Sequence, residues 1–187
     1  MCIERDMRSS QRGLSLIELL VFIVVVGVAV TGVLSVFSMN ARASVDPAIR
    51  KQATAIAESL LDEVLSKPYT YCDPDDANAG TAANPAGCAA MQETAMGPEA
   101  GETRYSNVTP FDNVNDYDGF SMNPINDITN TAVTGLGAYT ATVRVQPVGA
   151  FNGMPADETL LVTVTVTAPG NQNVTLSGYR TRYAPAF

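Results

Sequence analysis

The residue best placed to do chemistry is a single carboxylate inside an apolar segment. Glu18 follows Leu14-Ser15-Leu16-Ile17, and no further charged residue occurs before Arg42. A charged side chain within a membrane-length apolar stretch is costly, so such a residue usually has a function. The chemistry open to this carboxylate is pairing with a positive group, which makes Glu18 the first candidate functional residue.

Composition removes several classes of catalyst. The chain contains no histidine, which excludes Ser-His and Cys-His catalysis and removes the commonest metal ligand. The formal net charge is −8, which argues against a nucleic-acid-binding face. Carboxylate chemistry stays possible but has no support in the composition. We expect neither an enzyme nor a protein with a cofactor, and no nucleic-acid partner.

The apolar segment predicts a membrane-spanning helix over residues 14–39, and this helix would position Glu18. About 20 apolar residues suffice to cross the hydrocarbon core of a bilayer. Arg5, Arg8 and Arg12 precede the segment, so the positive-inside rule predicts a cytoplasmic N-terminus and a domain across the membrane. An ordinary secretory signal is the alternative, because Ala41-Arg42-Ala43 offers a small-residue cleavage pattern. Against it, the apolar core is long and contains Glu18.

The start of the chain resembles the class III signal of type IV pilins and type II secretion pseudopilins. The resemblance rests on Gly13, the apolar Leu14 and the carboxylate of Glu18. It implies that a prepilin peptidase cuts after Gly13 on the cytoplasmic side, removes residues 1–13 and N-methylates Leu14. Glu18 would then pair with the new α-amino group of Leu14 in a neighbouring subunit. The alternative is a carboxylate that only reaches the membrane surface.

Four later segments carry a further resemblance, namely residues 44–47, 61–68, 115–117 and 178–183. They resemble the D-type minor pilin of mannose-sensitive haemagglutinin pili and related V-type minor pilins. The resemblance implies a structural minor pilin that is held in the inner membrane with a periplasmic domain and later joins or primes an extracellular type IV pilus. Its partners would be other major and minor pilins, the prepilin peptidase, the inner-membrane assembly platform and membrane lipid. A type II secretion pseudopilin and a single-pass envelope binding domain are the alternatives.

The periodicity predicts an α+β fold with a long N-terminal helix and a C-terminal antiparallel sheet. An amphipathic helix should continue over residues 40–67, a loop-rich region should occupy 68–136, and the sheet should occupy 137–187. One helical face should pack under the sheet, although a surface for a partner helix is the sharper alternative. That face carries Ile49, Ala53, Ile56, Leu60 and Val64, widened by Leu61 and Leu65. Apolar residues alternate with polar ones over 139–146 and 162–167, and a less regular third run includes Val174, Leu176 and Tyr179.

The cysteines predict one disulfide. The chain has three cysteines, and removal of residues 1–13 would take Cys2 with it, leaving Cys72 and Cys88. An even pair in a loop-rich exported domain favours a disulfide, which would stabilise the fold by about 3 kcal/mol. The alternatives are two unpaired thiols or two ligands of an incomplete metal site.

The loop region also holds a weak calcium candidate. Asp112, Asp116 and Asp118 lie in a segment dense in oxygen ligands. The segment does not match the EF-hand pattern, and Asn123 stands where the closing Glu would be. Asx turns flanked by Phe111 and Phe120 are the simpler interpretation, so we expect no metal here.

Overall fold

The computed structural model describes residues 15–182, without the side chains of residues 40–46. Gly13 and Leu14, the expected processing site, lie outside the described residues. The chain divides into two compact units, one ending at Asp46 and the other beginning at Pro47. Helix α1 covers Leu16–Ser66. The four strands are β1 (Ser121–Met122), β2 (Thr140–Pro147), β3 (Thr159–Ala168) and β4 (Gln172–Thr181).

The second unit contains an antiparallel sheet whose strands follow one another in chain order. In β2 and β3 buried and more exposed side chains alternate, so that Val143, Val145, Val162 and Val164 all face the core. This agrees with the period-2 pattern of the sequence. Strand β1 was not expected, because two residues are too few to show a period.

The helical part of the second unit buries the predicted face against the sheet. Ala53, Leu60 and Val64 are at most 2% exposed and belong to the same hydrophobic cluster as the inward valines of β2 and β3. Ile49 and Ile56 are partly buried and pack against that cluster. The fold is therefore α+β, with one amphipathic helix over one face of a four-stranded sheet.

Strand β4 departs from the expected grouping of its side chains. Val174 and Leu176 point inward, but Tyr179 is 52% exposed and stacks on Phe151 with ring centroids 4.7 Å apart. The inward position beside Tyr179 is taken by Gly178, where an added Cβ would lie 2.7 Å from Leu65 Cδ1. The strand thus keeps its alternation, and a residue without a side chain makes room for the helix.

The loop region is attached to the helix by a buried ion pair. Arg104 donates from Nε and Nη2 to the two carboxylate oxygens of Glu63, both at 2.7 Å. Tyr117 donates its hydroxyl to Glu63 Oε1 at 2.8 Å, and burial followed by the charge of Glu63 raises the pKa of Tyr117 well above its usual range. The Arg104 side chain is 7% exposed and the Glu63 side chain 24%, so this bidentate pair is largely, but not fully, shielded from water.

A second arginine holds the end of β4 beside the segment that follows the helix. The Arg182 guanidinium lies 3.7 Å from the ring centroid of Tyr69 and 4.1 Å from that of Tyr71. It also donates to the carbonyl of Thr70 at 2.6 Å and pairs with Glu158 at 3.4 Å. Stacking and charge pairing together fasten the last strand to the start of the loop region.

Replacement of Arg104 should destabilise the second unit strongly. Arg104→Ala removes the charged partner of the Glu63 carboxylate, which keeps the bond from the Tyr117 hydroxyl, and the bonds that Arg104 donates to the carbonyls of Asn126 and Asp127. Breaking a largely buried ion pair costs about 3 kcal/mol. Denaturant unfolding of the full chain in detergent measures this loss. The matched control is Arg144→Ala on the exposed side of β2, which should change the free energy of unfolding by less than about 0.5 kcal/mol. Equal losses for the two variants would contradict the role given to the pair.

Candidate functional site

The first candidate site is the apolar part of helix α1. Leu16–Met39 is a 24-residue segment whose most apolar stretch has a mean hydropathy of 2.9. No residue of that stretch is buried within the structure. Large side chains such as Val28 and Phe37 are 69% and 67% exposed. Exposed apolar surface costs about 25 cal/mol per Å² relative to an apolar environment, so this surface requires lipid or other apolar helices. By length and composition the segment can cross a membrane.

Glu18 lies in the first turn of this helix. The backbone N–H groups of Glu18 and Leu19 donate to the carbonyl of Ser15 at 3.0 and 3.1 Å, which places the carboxylate at the start of the helix. The side chain is exposed, and it forms no ion pair with any residue that the structure describes. Its carboxylate is therefore free to accept a positive partner from outside residues 15–182.

Comparison with known proteins identifies this same segment. Residues 8–34 match the family model described as the prokaryotic N-terminal methylation motif. The match supports a type IV pilin-like or pseudopilin-like protein. No curated protein and no solved structure matches the chain. The matched range includes Gly13, Leu14 and Glu18 but ends before the second unit, so it does not address the subgroup.

The second unit contains a cross-linked loop. Cys72 and Cys88, 16 residues apart, form the disulfide that the cysteine count predicted. Asp76 lies inside the loop and is 5% exposed. Its carboxylate accepts four backbone N–H bonds, from Asn78 at 2.8 Å, Ala89 at 3.0 Å, Ala90 at 2.8 Å and Met91 at 2.8 Å. A covalent bond and one carboxylate thus close the same loop.

These four donors favour the ionised form of Asp76. The bond from Met91 contributes most, and together the backbone donors hold the pKa of Asp76 far below its ordinary value of 3.8. A carboxyl group whose pKa is lower in the folded state stabilises the fold above its unfolded pKa and loses that contribution as the pH falls. Asp76 was not among the residues singled out from the sequence, since three of its four donors lie 13 to 15 residues away.

The three aspartates of the calcium candidate occupy different places. Asp118 accepts the backbone N–H of Val145 at 2.9 Å and so attaches the loop to β2. Asp112 groups with Asp73 and Asp75, with carboxylate oxygens within 4.8 Å of one another. Asp116 belongs to another group with the same spacing. In the described part of the chain, the clusters able to hold a metal do not combine the three predicted residues.

The group around Asp116 is the most buried of these clusters. We call Glu93, Glu99 and Asp116 the acidic triad; their oxygens lie within 4.8 Å of one another. Burial is the main cause that raises the pKa of Glu93 to about 8 and that of Asp116 to about 6. Glu102, which neighbours Glu99, has its pKa raised to about 8, again mainly by burial. Folding has therefore gathered carboxylates where their charged forms are disfavoured.

Sequence patterns alone did not select Glu93 or Glu99. They lie far from Asp116 in the chain, and no helical or strand repeat in the sequence places them on the same face as Asp116. One signal was available, namely that Arg104 is the single basic residue between Lys67 and Arg144, although acidic residues are frequent there. A compact region with so many carboxylates and one cation must bring several of them together.

Neutralising Asp76 should destabilise the second unit in a pH-dependent way. The Asp76→Asn variant should melt below the wild type at pH values above about 5, where the wild-type carboxylate is ionised. This difference should shrink as the pH falls below 3.8, because the unfolded wild type then binds a proton that the folded carboxylate, with its lowered pKa, still excludes. Melting temperatures of both full chains across that range are the measurement. A difference that stays constant with pH would contradict the charge effect.

Proposed function

We propose that the chain is a minor pilin of a type IV pilus. A prepilin peptidase removes residues 1–13, and Leu14 becomes the methylated N-terminus. The observation that carries the proposal is the methylation-motif match over residues 8–34, which overlaps the fully exposed apolar helix Leu16–Met39. A signal peptide discarded after export has no need for a carboxylate in its apolar core.

The apolar helix has two successive environments in this proposal. In the inner membrane it lies in lipid, with its N-terminus cytoplasmic and the second unit periplasmic. In the pilus it packs against the corresponding helices of other subunits, which replace lipid as the apolar surroundings. The second unit has its own hydrophobic core, formed by residues between 53 and 168. Its folding therefore does not require burial of the apolar helix.

Glu18 selects the register between subunits. A carboxylate among packed apolar helices is strongly disfavoured unless a positive group reaches it. The α-amino group that cleavage creates at Leu14 supplies such a group on each neighbouring subunit. Pairing of the two fixes the axial position of an incoming subunit, whereas apolar packing alone would tolerate sliding.

The similarity of the second unit to D-type minor pilins favours a pilus over a secretion system. The similar residues Asn115, Asp116 and Tyr117 form a buried 3₁₀ turn, and Tyr117 packs edge-on against Phe111 at 5.0 Å. We assign these residues a structural role, because their buried packing determines the shape of the unit. The partners are thus other major and minor pilins, the peptidase and the assembly platform, and the protein is structural.

Loss of the Glu18 carboxylate should block assembly without unfolding the second unit. The Glu18→Ala variant should be incorporated into sheared pili at least about tenfold less than the wild type, since an assembly contact with a desolvated charge is lost. Immunoblots of the pilus and membrane fractions measure incorporation. The melting temperature of the second unit should not change.

The matched control is Glu58→Ala, which removes an exposed glutamate from the same helix outside the apolar segment. This variant should be incorporated as the wild type is. Normal incorporation of Glu18→Ala would overturn the proposed role of the carboxylate. Recovery of the wild type with a secretion apparatus instead of pili would identify a pseudopilin.

A further inference from the structure

We propose that the acidic triad binds one divalent cation of calcium size. Glu93, Glu99 and Asp116 each offer a carboxylate oxygen, and these oxygens lie within 4.8 Å of one another. Calcium binds oxygen ligands at about 2.3–2.6 Å, so two oxygens that bind the same ion are at most about 5 Å apart. The spacing of the triad therefore suits a single shared ion.

Buried carboxylate oxygens without hydrogen-bond partners support the cation site independently of the clustering. Asp116 is fully buried; its Oδ2 accepts the N–H groups of Asp112 at 2.9 Å and Asn113 at 2.7 Å, but its Oδ1 has no partner among the described residues. Glu93 is 8% exposed, and its Oε2 accepts from the Asn115 amide while its Oε1 has no donor in the described structure. The Glu99 carboxyl lies within hydrogen-bond reach of the Glu93 carboxyl, so the two groups must share either a proton or a cation. A buried carboxylate oxygen left without a partner is strongly unfavourable.

None of the described side-chain cations forms an ion pair with the triad. The ion pairs within residues 15–182 join Arg104 to Glu63 and Arg182 to Glu158. The charge of Lys67 acts on the neighbouring Asp112, where it opposes the rise in pKa. A proton or a metal ion can neutralise the triad, and a metal ion can satisfy several oxygens at once.

The ligand chemistry selects calcium over other metals. The chain has no histidine, and Cys72 and Cys88 are joined to each other, so the site offers hard oxygen ligands. Asn115 adds a buried amide oxygen, Oδ1, that also lacks a partner in the described part of the chain. An irregular set of carboxylate and amide oxygens suits calcium, whereas magnesium demands a near-octahedral arrangement.

The site has a route to solvent. Glu99 belongs to a second group with Asp73 and Glu102 at the same spacing, and all three line a cavity of about 340 Å³. Asp75 and Asp112 line this cavity as well. An ion attracted to the acidic cavity would pass Glu99 to reach the buried pair. Once bound, it would join the segment around Glu93 to the 3₁₀ turn Asn115–Tyr117.

Calcium titration of the full chain in detergent tests the proposal. After dialysis against EDTA, calorimetric titration with CaCl₂ at neutral pH should show one ion per chain with a dissociation constant of about 0.1–1 mM. About 10 mM CaCl₂ should raise the melting temperature by about 5 °C. Glu99→Gln and Asp116→Asn should each weaken binding at least about tenfold, since each removes a charged ligand.

The matched control is Asp118→Asn, which removes an aspartate charge nearby but can still accept the Val145 N–H bond. It should bind calcium within about twofold of the wild type. Glu99 is half-buried, so Glu99→Gln keeps the test valid if Asp116→Asn does not fold. The proposal is overturned if the wild type binds no calcium up to about 10 mM, if Asp118→Asn weakens binding as much as Glu99→Gln, or if NaCl of equal ionic strength reproduces the stabilisation.

Discussion

A continuous apolar surface that water solvates poorly governs the organisation of this protein. Leu16–Met39 is exposed along its whole length and carries one charge, at Glu18. Lipid or the apolar helices of other subunits can cover it, and both environments penalise an unpaired carboxylate. The combination of apolar surface and a single carboxylate is what makes an assembly contact more plausible than a simple anchor, because an anchor would be more stable without the charge.

The second unit satisfies a different requirement, which is to remain folded whatever covers the apolar helix. Its core joins Ala53, Leu60 and Val64 to the inward valines of the sheet. Its long irregular region has little periodic structure of its own and is stabilised by specific polar contacts. Arg104 with Glu63, Asp76 with four backbone N–H groups, and the Cys72–Cys88 bond each connect segments that the chain separates. These contacts allow a loop-rich domain to have one conformation.

The parts of the fold that repeat along the chain could be predicted from the sequence. Helical spacing identified Leu60 and Val64, and alternation identified Val143 and Val164, because each pattern reports on a single element. Contacts between elements left no such pattern. Tyr179 faces outward because Gly178 occupies the inward position against Leu65, which no pattern within the strand indicates. The acidic triad forms because a long loop folds back on itself. Glu18 was recognisable because a charge in an apolar run is conspicuous without any tertiary information.

We propose that the mature protein retains the apolar helix and has a processed N-terminus. Intact-mass and N-terminal sequence analysis of the mature protein from its native membrane is the decisive measurement. We expect a chain that begins at Leu14, carries one N-methyl group and retains Cys72 and Cys88 as a disulfide. A mature chain that begins near Ser44, with the apolar helix removed, would contradict it.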